Sequence, residues 1–366
     1  MARPTRIEVD VDALRHNIER VKSCAPGRKI IAMVKANGYG CGVSAVVPAL
    51  DAHVDAFGVA CFEEARVLRK FTSRTCVLMQ GVFQQHELFD LAAAGCEPVV
   101  HQPEQLDWIL ETPLSQAIRV WVKVDTGMHR LGFDVPTAQT VIAALKACPW
   151  VQDNLAIMTH LASADEPCHP QNETQLALFS QLDLSDGVFE RSISNSAAIL
   201  SFPEALADVV RPGIMLYGVS PFSDQTAALL DLKPVMQFIS EIMAIHTYAP
   251  GARVGYGGTW EAKRISRIGV VAAGYGDGYP RHIAPDTPVY INGQYVPVVG
   301  RVSMDMLTVD LTDFEAADIQ LGTRVELWGA HLPVERIARA AETIGYELIC
   351  QISPRVRAKA VMISML

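Results

Sequence analysis

No run of about 18 uncharged apolar residues, the length that a membrane-crossing helix needs, occurs in this chain of 366 residues. The opening stretch MARPTRIEVDVDALRHN lacks the apolar core of a secretory signal. Eight cysteines are present (Cys24, Cys41, Cys61, Cys76, Cys96, Cys148, Cys168, Cys350), and none forms a Cys-x-x-Cys pair. That excludes a zinc pattern and a disulfide framework, and it fits reduced residues of a cytoplasmic protein with no metal site. Basic residues are outnumbered, giving a net charge of −9, which argues against a nucleic-acid partner. There is no low-complexity segment and no sequence repeat beyond a strand-helix rhythm. The glycine-rich GYGDGYP is not a phosphate cradle by itself, because no Walker lysine follows it.

What is present is hydrophobic: half of all residues, enough for a large core and two domains. Asp12 is placed to cap a first helix, with Leu14, Ile18 and Val21 along one face. Apolar runs then read as strands: KIIAMVK ending at Lys35, AFGVA at Ala60, CVLMQ at Gln80, PVVHQ around His101, RVWVKVD at Asp125, NLAIMTH at His160, RSISN at Asn195 and GIMLYG at Gly218. Helical stretches such as FEEARVLRKF and PTAQTVIAALKAC separate them. The alternation predicts an α/β fold, a (β/α)8 TIM-type barrel over residues 1–230, with an open doubly wound sheet as the alternative. From about residue 231 to 366 the texture becomes that of a mostly-β domain. ARVGYGGTW, RIGVVAAGYGDGY, PVYINGQYVPVVG, SMDMLTVDL and TRVELWG read as strands, with a hairpin at Asn292-Gly293 and one helix in LPVERIARAAETIG.

Barrels place their chemistry at the C-terminal ends of the strands. Here those ends carry Lys35, Gln80, His101, Lys123, Asp125, His160, Ser194 and Asn195. Any one of them could be polar simply because strand ends meet water; eight at one mouth need more explanation. Barrels also bind phosphate with the loops after strands 7 and 8. SNSAAIL follows strand 7, where Ser196 could cap a helix and offer its hydroxyl to an anion, and Gly213 lets backbone approach closely. Strand 1 closes beside strand 8, so Lys35 falls within reach of that phosphate. A lysine there, among aromatic and imidazole groups, suits Schiff-base chemistry with pyridoxal 5'-phosphate. Direct attack of the lysine on a sugar phosphate, as in an aldolase, stays open on these residues alone.

The motifs then add up. AMVKANGYGCG resembles the cofactor-lysine motif of the alanine racemases, and the likeness continues in order through VKVDTGMHRLGF, THLASAD, SNSAA, VRPGIMLYG, VGYGGTW, GYGDGYPR and GRVSMDM. The resemblance implies a barrel followed by a β domain, and a homodimer whose sites are completed by the partner. It implies interconversion of L- and D-alanine with pyridoxal phosphate, supplying D-alanine for peptidoglycan. By the same resemblance Lys35 and Tyr256 are the two acid–base groups, Tyr256 coming from the second subunit. Arg211 faces the pyridine nitrogen, and His160 lies by the ring. Tyr39, Asn195, Ser196 and Gly213 hold the cofactor. Arg130 and the N–H of Met304 bind the substrate carboxylate, and Lys123, as a carbamate in some members, steadies Arg130. Asp305, Tyr275, Arg281 and Arg301 are supporting residues, the last three lining the way in. Pro354 stands where some members carry a phosphate-binding tyrosine, and Ser303 where some carry cysteine. The resemblance keeps three rivals in view: a decarboxylase of the same architecture, a non-catalytic cofactor-binding barrel, and a racemase that prefers serine.

Overall fold

Lys29–Met33, Ala56–Val59, Thr75–Leu78, Cys96–Val100, Trp121–Lys123, Ala156–Met158, Glu190–Ser192 and Val209–Val210 are eight short strands, each parallel to the next. The computed structural model that contains them describes residues 3–315 and 318–361. Positions 1, 2, 316, 317 and 362–366 of the two expected domains lie outside the described residues. The last strand returns to the first through Lys29↔Val209 and Ile30↔Val210. The remaining seam, between Glu190–Ser192 and Val209–Val210, is tied by the Arg211 N–H to Ser194 O at 3.1 Å and by Ser192 Oγ to Val209 O at 2.7 Å. This is the expected barrel, and most of its strands are near-continuous apolar runs because both of their faces are covered, Glu190–Ser192 being the polar exception.

The eighth strand is not where the sequence suggested. Ile214–Tyr217 is a 3-10 turn, closed by Gly218 at φ 70°, and the strand is the preceding Val209–Val210. Pro212 and Gly213 separate the two. A short buried apolar run reads alike as strand or turn, and here all four turn residues are buried. The shift puts Arg211, rather than Gly218, at the strand's C-terminal end.

The first helix, Val11–Cys24, buries Leu14, Ile18 and Val21 as expected, but its cap is Asp10 and not Asp12. Asp10 has extended backbone, and its carboxylate accepts from the Asp12 and Ala13 N–H groups, whereas Asp12 already lies in the first turn.

The second layer is an eight-stranded mixed sheet. Its order is Ser266–Val271, Leu307–Asp310, Gln294–Val299, Pro288–Ile291, Arg324–Trp328, Met236–Tyr248, Arg6–Asp10, Arg357–Val361. Met236–Tyr248 is long enough to pair with Arg324–Trp328 along one half and with Ser266–Val271 along the other, which curls the sheet back on itself. Arg6–Asp10, from the start of the chain, packs in this sheet and not in the barrel. Asn292 and Gly293 both have positive φ, as the predicted hairpin requires. ARVGYGGTW is a hairpin and not one strand. Arg253–Val254 pairs with Trp260–Glu261, and Gly255, Gly257 and Gly258, all at positive φ, turn the chain so that Tyr256 stands at the tip. Two helices follow instead of one, Val334–Ala340 and Gly345–Cys350.

Candidate active site

Past Met33 the chain leaves the barrel and at once reverses hand. Ala36, Asn37, Gly38, Tyr39 and Gly40 all have positive φ. Glycine and asparagine tolerate this region, but Ala36 and Tyr39 are strained there. The surroundings hold them: Glu64 Oε1 accepts the Ala36 N–H at 2.7 Å, Val34 O accepts from Gly38 at 2.8 Å, and Asn37 Oδ1 accepts from Val43 at 3.1 Å. The result is a rigid left-handed turn that aims Lys35 into a cavity and stacks Tyr39 on Tyr217, ring centroids 4.6 Å apart.

That cavity, of about 340 Å³, opens at the C-terminal mouth of the barrel. Nine predicted residues line it: Lys35, Tyr39, Lys123, Arg130, His160, Asn195, Ser196, Arg211 and Gly213. It holds four cationic side chains and no carboxylate. Among the described residues, Lys35 and Arg130 donate to no protein acceptor, and Lys123 has only Val124 O at 3.3 Å. Burial pulls the Lys35 amine below its ordinary pKa, helped by Arg130. The same cause, with Arg211 second, brings Lys123 down to about 7.

Arg130 rides on a closed loop. Asp125 N–H donates to Phe133 O and Phe133 N–H to Lys123 O, while Asp125 Oδ1 accepts from Gly127 and His129. Gly132 permits that closure, since a Cβ there would lie 2.8 Å from Asp125 N. Arg211, buried and with its pKa lowered by burial to about 10, stays charged at neutral pH. It donates to Ser192 Oγ at 2.5 Å and Thr159 O at 2.7 Å, and faces His160 Nδ1 at 3.4 Å. Burial first, and then Arg211, hold His160 well below its usual range, so the ring is neutral.

At the other end of the cavity, Ser196 does not cap its helix. Asn195 does, accepting from the Ala198 N–H at 3.0 Å. Ser196 Oγ instead accepts from Gly213 and Met215 N–H, which leaves its own proton to donate. A Cβ on Gly213 would sit 2.5 Å from the Tyr39 hydroxyl, so glycine alone leaves this corner open. Burial raises the Tyr39 and Tyr346 phenols, which remain O–H donors.

Tyr346 and Cys350, on Gly345–Cys350, line the cavity and were missed in the sequence, as were Met33, Met79, Met128 and Met158. Pro354 is not among the lining residues, and Tyr346, eight positions earlier, places a phenol in the cavity wall. Tyr256, Tyr275, Arg281, Arg301, Met304 and Asp305 do not line the cavity of their own chain. They lie on the β domain, Tyr256 being 68 % exposed.

The family description "Alanine racemase, N-terminal domain" matches residues 9–221, and "Alanine racemase, C-terminal domain" matches residues 235–360. An alanine racemase of Legionella pneumophila (strain Lens) is 57 % identical over 360 residues, covering 98 % of this chain and 100 % of that protein. The solved biosynthetic alanine racemase of Pseudomonas aeruginosa is 43 % identical with a TM-score of 0.93, covering 98 % of this chain and 99 % of that one. That of Bartonella henselae, solved with covalently bound pyridoxal phosphate, is 30 % identical with a TM-score of 0.86, over 98 % and 99 % of the two chains. Matched along nearly its whole length in sequence and in fold, the chain belongs to the alanine racemase family.

Proposed function

We propose that this protein interconverts L- and D-alanine with pyridoxal 5'-phosphate held at the barrel mouth, and that it supplies D-alanine for peptidoglycan in the cytoplasm. The observation that carries this reading is the cavity itself: a lysine with lowered pKa, four cations with no carboxylate in the lining, and a hydroxyl-lined corner. That donor set fits the cofactor. Its phosphate matches the Tyr39, Ser196, Gly213 and Tyr346 corner, with Asn195 beside it, and its negative charge balances Lys35, Arg130 and Arg211. A neutral Lys35 amine is the form that can hold an aldehyde carbon.

Bound there, the cofactor supplies an electron sink that makes the alanine Cα proton removable. Everything else falls to the chain. Lys35 Nζ takes or returns the Cα proton on one face, and Tyr256 Oη of a second copy does so on the other. Arg211 would face the pyridine nitrogen of the bound cofactor, and because a guanidinium cannot accept a hydrogen bond it would disfavour a proton there. His160, neutral, accepts from Arg211 at Nδ1 and so keeps its proton on Nε2. Arg130 and the Met304 N–H of the second copy hold the substrate carboxylate. Lys123, half uncharged near pH 7, can take up carbon dioxide as a carbamate and steady Arg130. Asp305, Tyr275, Arg281 and Arg301 border the way in from the second copy. The working unit is therefore a homodimer, each chain giving a barrel drawn from residues 1–230, less the Arg6–Asp10 strand that joins the β sheet, and a β domain drawn from residues 231–366.

A coupled assay over a panel of L- and D-amino acids, with added pyridoxal phosphate, tests the reading. Alanine is expected to be racemised fastest. Release of carbon dioxide from the amino acid, or bound cofactor with no turnover of any amino acid, would refute it.

A further inference from the structure

One fully buried charge takes no part in the mechanism above. Asp277 is 0 % exposed. Its carboxylate accepts from Arg3 Nη2 at 2.7 Å, from Arg355 Nε at 2.8 Å and from the Gly274 N–H at 2.9 Å. The same two arginines continue into the neighbouring loop. Arg355 donates through Nη1 to Asp305 Oδ1 at 2.7 Å and through Nη2 to Met304 O at 3.2 Å. Arg3 Nη2 donates to Asp305 O at 2.7 Å. The turn that carries Asp277 adds Tyr275 N–H to Ser303 O at 3.0 Å and Gly276 N–H to Met304 O at 2.8 Å.

Three successive carbonyls, of Ser303, Met304 and Asp305, are thus each pinned. A planar trans peptide sets its N–H opposite its C=O. Pinning Ser303 O therefore fixes the direction of the Met304 N–H, which points away from Tyr275. Among the described residues that N–H donates to no protein acceptor, and Met304 is 53 % exposed. The approach is so close that a Cβ on Gly274 would run into the Ser303 and Met304 carbonyls.

We propose that Asp277 is a positioning residue for racemisation: with Arg3 and Arg355 it holds the Ser303–Asp305 main chain so that the Met304 N–H is a rigid, pre-aimed donor for the substrate carboxylate. The inference rests on the reading of Met304 as a carboxylate contact and extends it. A donor fixed before binding needs no reordering when the ligand arrives, so more of its hydrogen bond appears as affinity. With Asn at 277 both guanidinium groups would lose their shared anion and the loop its anchor.

The test uses full-length enzyme loaded with pyridoxal phosphate, carrying Asp277→Asn, Arg355→Ala, Arg355→Lys or Arg3→Ala. KM and kcat are measured for alanine, Ki for propionate (the substrate's carboxylate without its amine), and thermal midpoint for each. Asp277→Asn should raise KM and the propionate Ki together, by about tenfold, the worth of one charge-assisted hydrogen bond, and change kcat much less. Arg3→Ala, at a part-exposed side chain, should move both constants the same way by a smaller factor. Arg355→Lys should restore part of what Arg355→Ala loses. If folded Arg3→Ala and Arg355→Ala keep parental KM and Ki and lose only thermal stability, the network is a structural staple and the proposal is wrong. If propionate fails to compete with alanine in the parent, the reading of Met304 itself falls, and the inference with it.

Discussion

Lys35 and Lys123 line one cavity and carry the same kind of strain. Each amine is taken from water and set near arginines, so each is easier to discharge than a free lysine. For Lys35 this is useful, because only the uncharged amine is nucleophilic. Borohydride treatment of the holoenzyme should fix the cofactor on Lys35, seen by peptide mass, and Lys35→Ala should abolish fixation and nearly all turnover. Labelling of a different lysine would sink the assignment. For Lys123 the consequence is a stability that depends on pH. Its folded pKa is about 7, and that of the unfolded chain is near 10.4. Between those values the unfolded state binds more protons, so stability rises with pH across the window and is lost as pH falls back to 7. Below 7 both states are protonated and the full penalty remains. Lys123→Met removes the site, so the cofactor-free variant should be more stable than the parent at pH 7, on the order of a few kcal/mol, with the gap closing towards pH 10.4. Chemical denaturation of both proteins at the two pH values reads this directly. An equal gap at both values would mean that the lysine is not what titrates.

Among the elements, the left-handed turn after the first barrel strand and the short helix Gly345–Cys350 depend on each other. Gly40, at φ 79°, lies so close to that helix that a Cβ would collide with Ile349 O. Gly40→Ala should therefore displace Tyr346 from Tyr39, destabilise the protein by about 2–4 kcal/mol and loosen the cofactor, measured as a higher dissociation constant for pyridoxal phosphate. Parental cofactor affinity in a well-folded variant would show that the two elements are independent. The sequence reveals one of this pair and hides the other. KANGYGCG announces its turn through its glycines, and strand ends and phosphate loops follow from the fold, so Lys35, Lys123, His160, Asn195, Ser196 and Gly213 were legible, while Tyr39, Arg130 and Arg211 came from the family resemblance. The helix of Tyr346 is six residues long, too short for a periodic pattern, and nothing local says that it docks over the barrel mouth. The eighth strand failed for the opposite reason. GIMLYG is so thoroughly apolar that it mimics a buried strand, while the two-residue Val209–Val210 leaves almost no pattern. Asn195 and Ser196 are both good capping residues, and only the backbone decides between them.

The whole molecule is two sheets joined so that the barrel mouth gathers every predicted cofactor contact, while the predicted second base stands elsewhere. Tyr256 sits at the tip of the Arg253–Glu261 hairpin, between Gly255 and Gly257 that both lie close to Arg301, and does not line its own chain's cavity. Met304 and Tyr275 are exposed on the same β domain. These exposed side chains, with Arg281 and Arg301, which donate to no protein acceptor among the described residues, are the groups that would complete the cavity of a second copy under the proposed dimer. If two copies exchange these parts, defects in Lys35 and Tyr256 must complement. A Lys35→Ala chain offers a good Tyr256 and a dead barrel, and a Tyr256→Phe chain offers a good barrel and a dead hairpin. In a mixed dimer one site collects both defects and the other collects neither. Random mixing makes half the dimers mixed, so activity should recover to about a quarter of the parental value from two inactive stocks. Subunit exchange is verified on the same samples with two affinity tags, and recovery should follow the tagged mixed dimer through purification. Full exchange without recovery would require each chain to bring its own Tyr256 to its own Lys35, and so a movement of the hairpin that this structure does not contain.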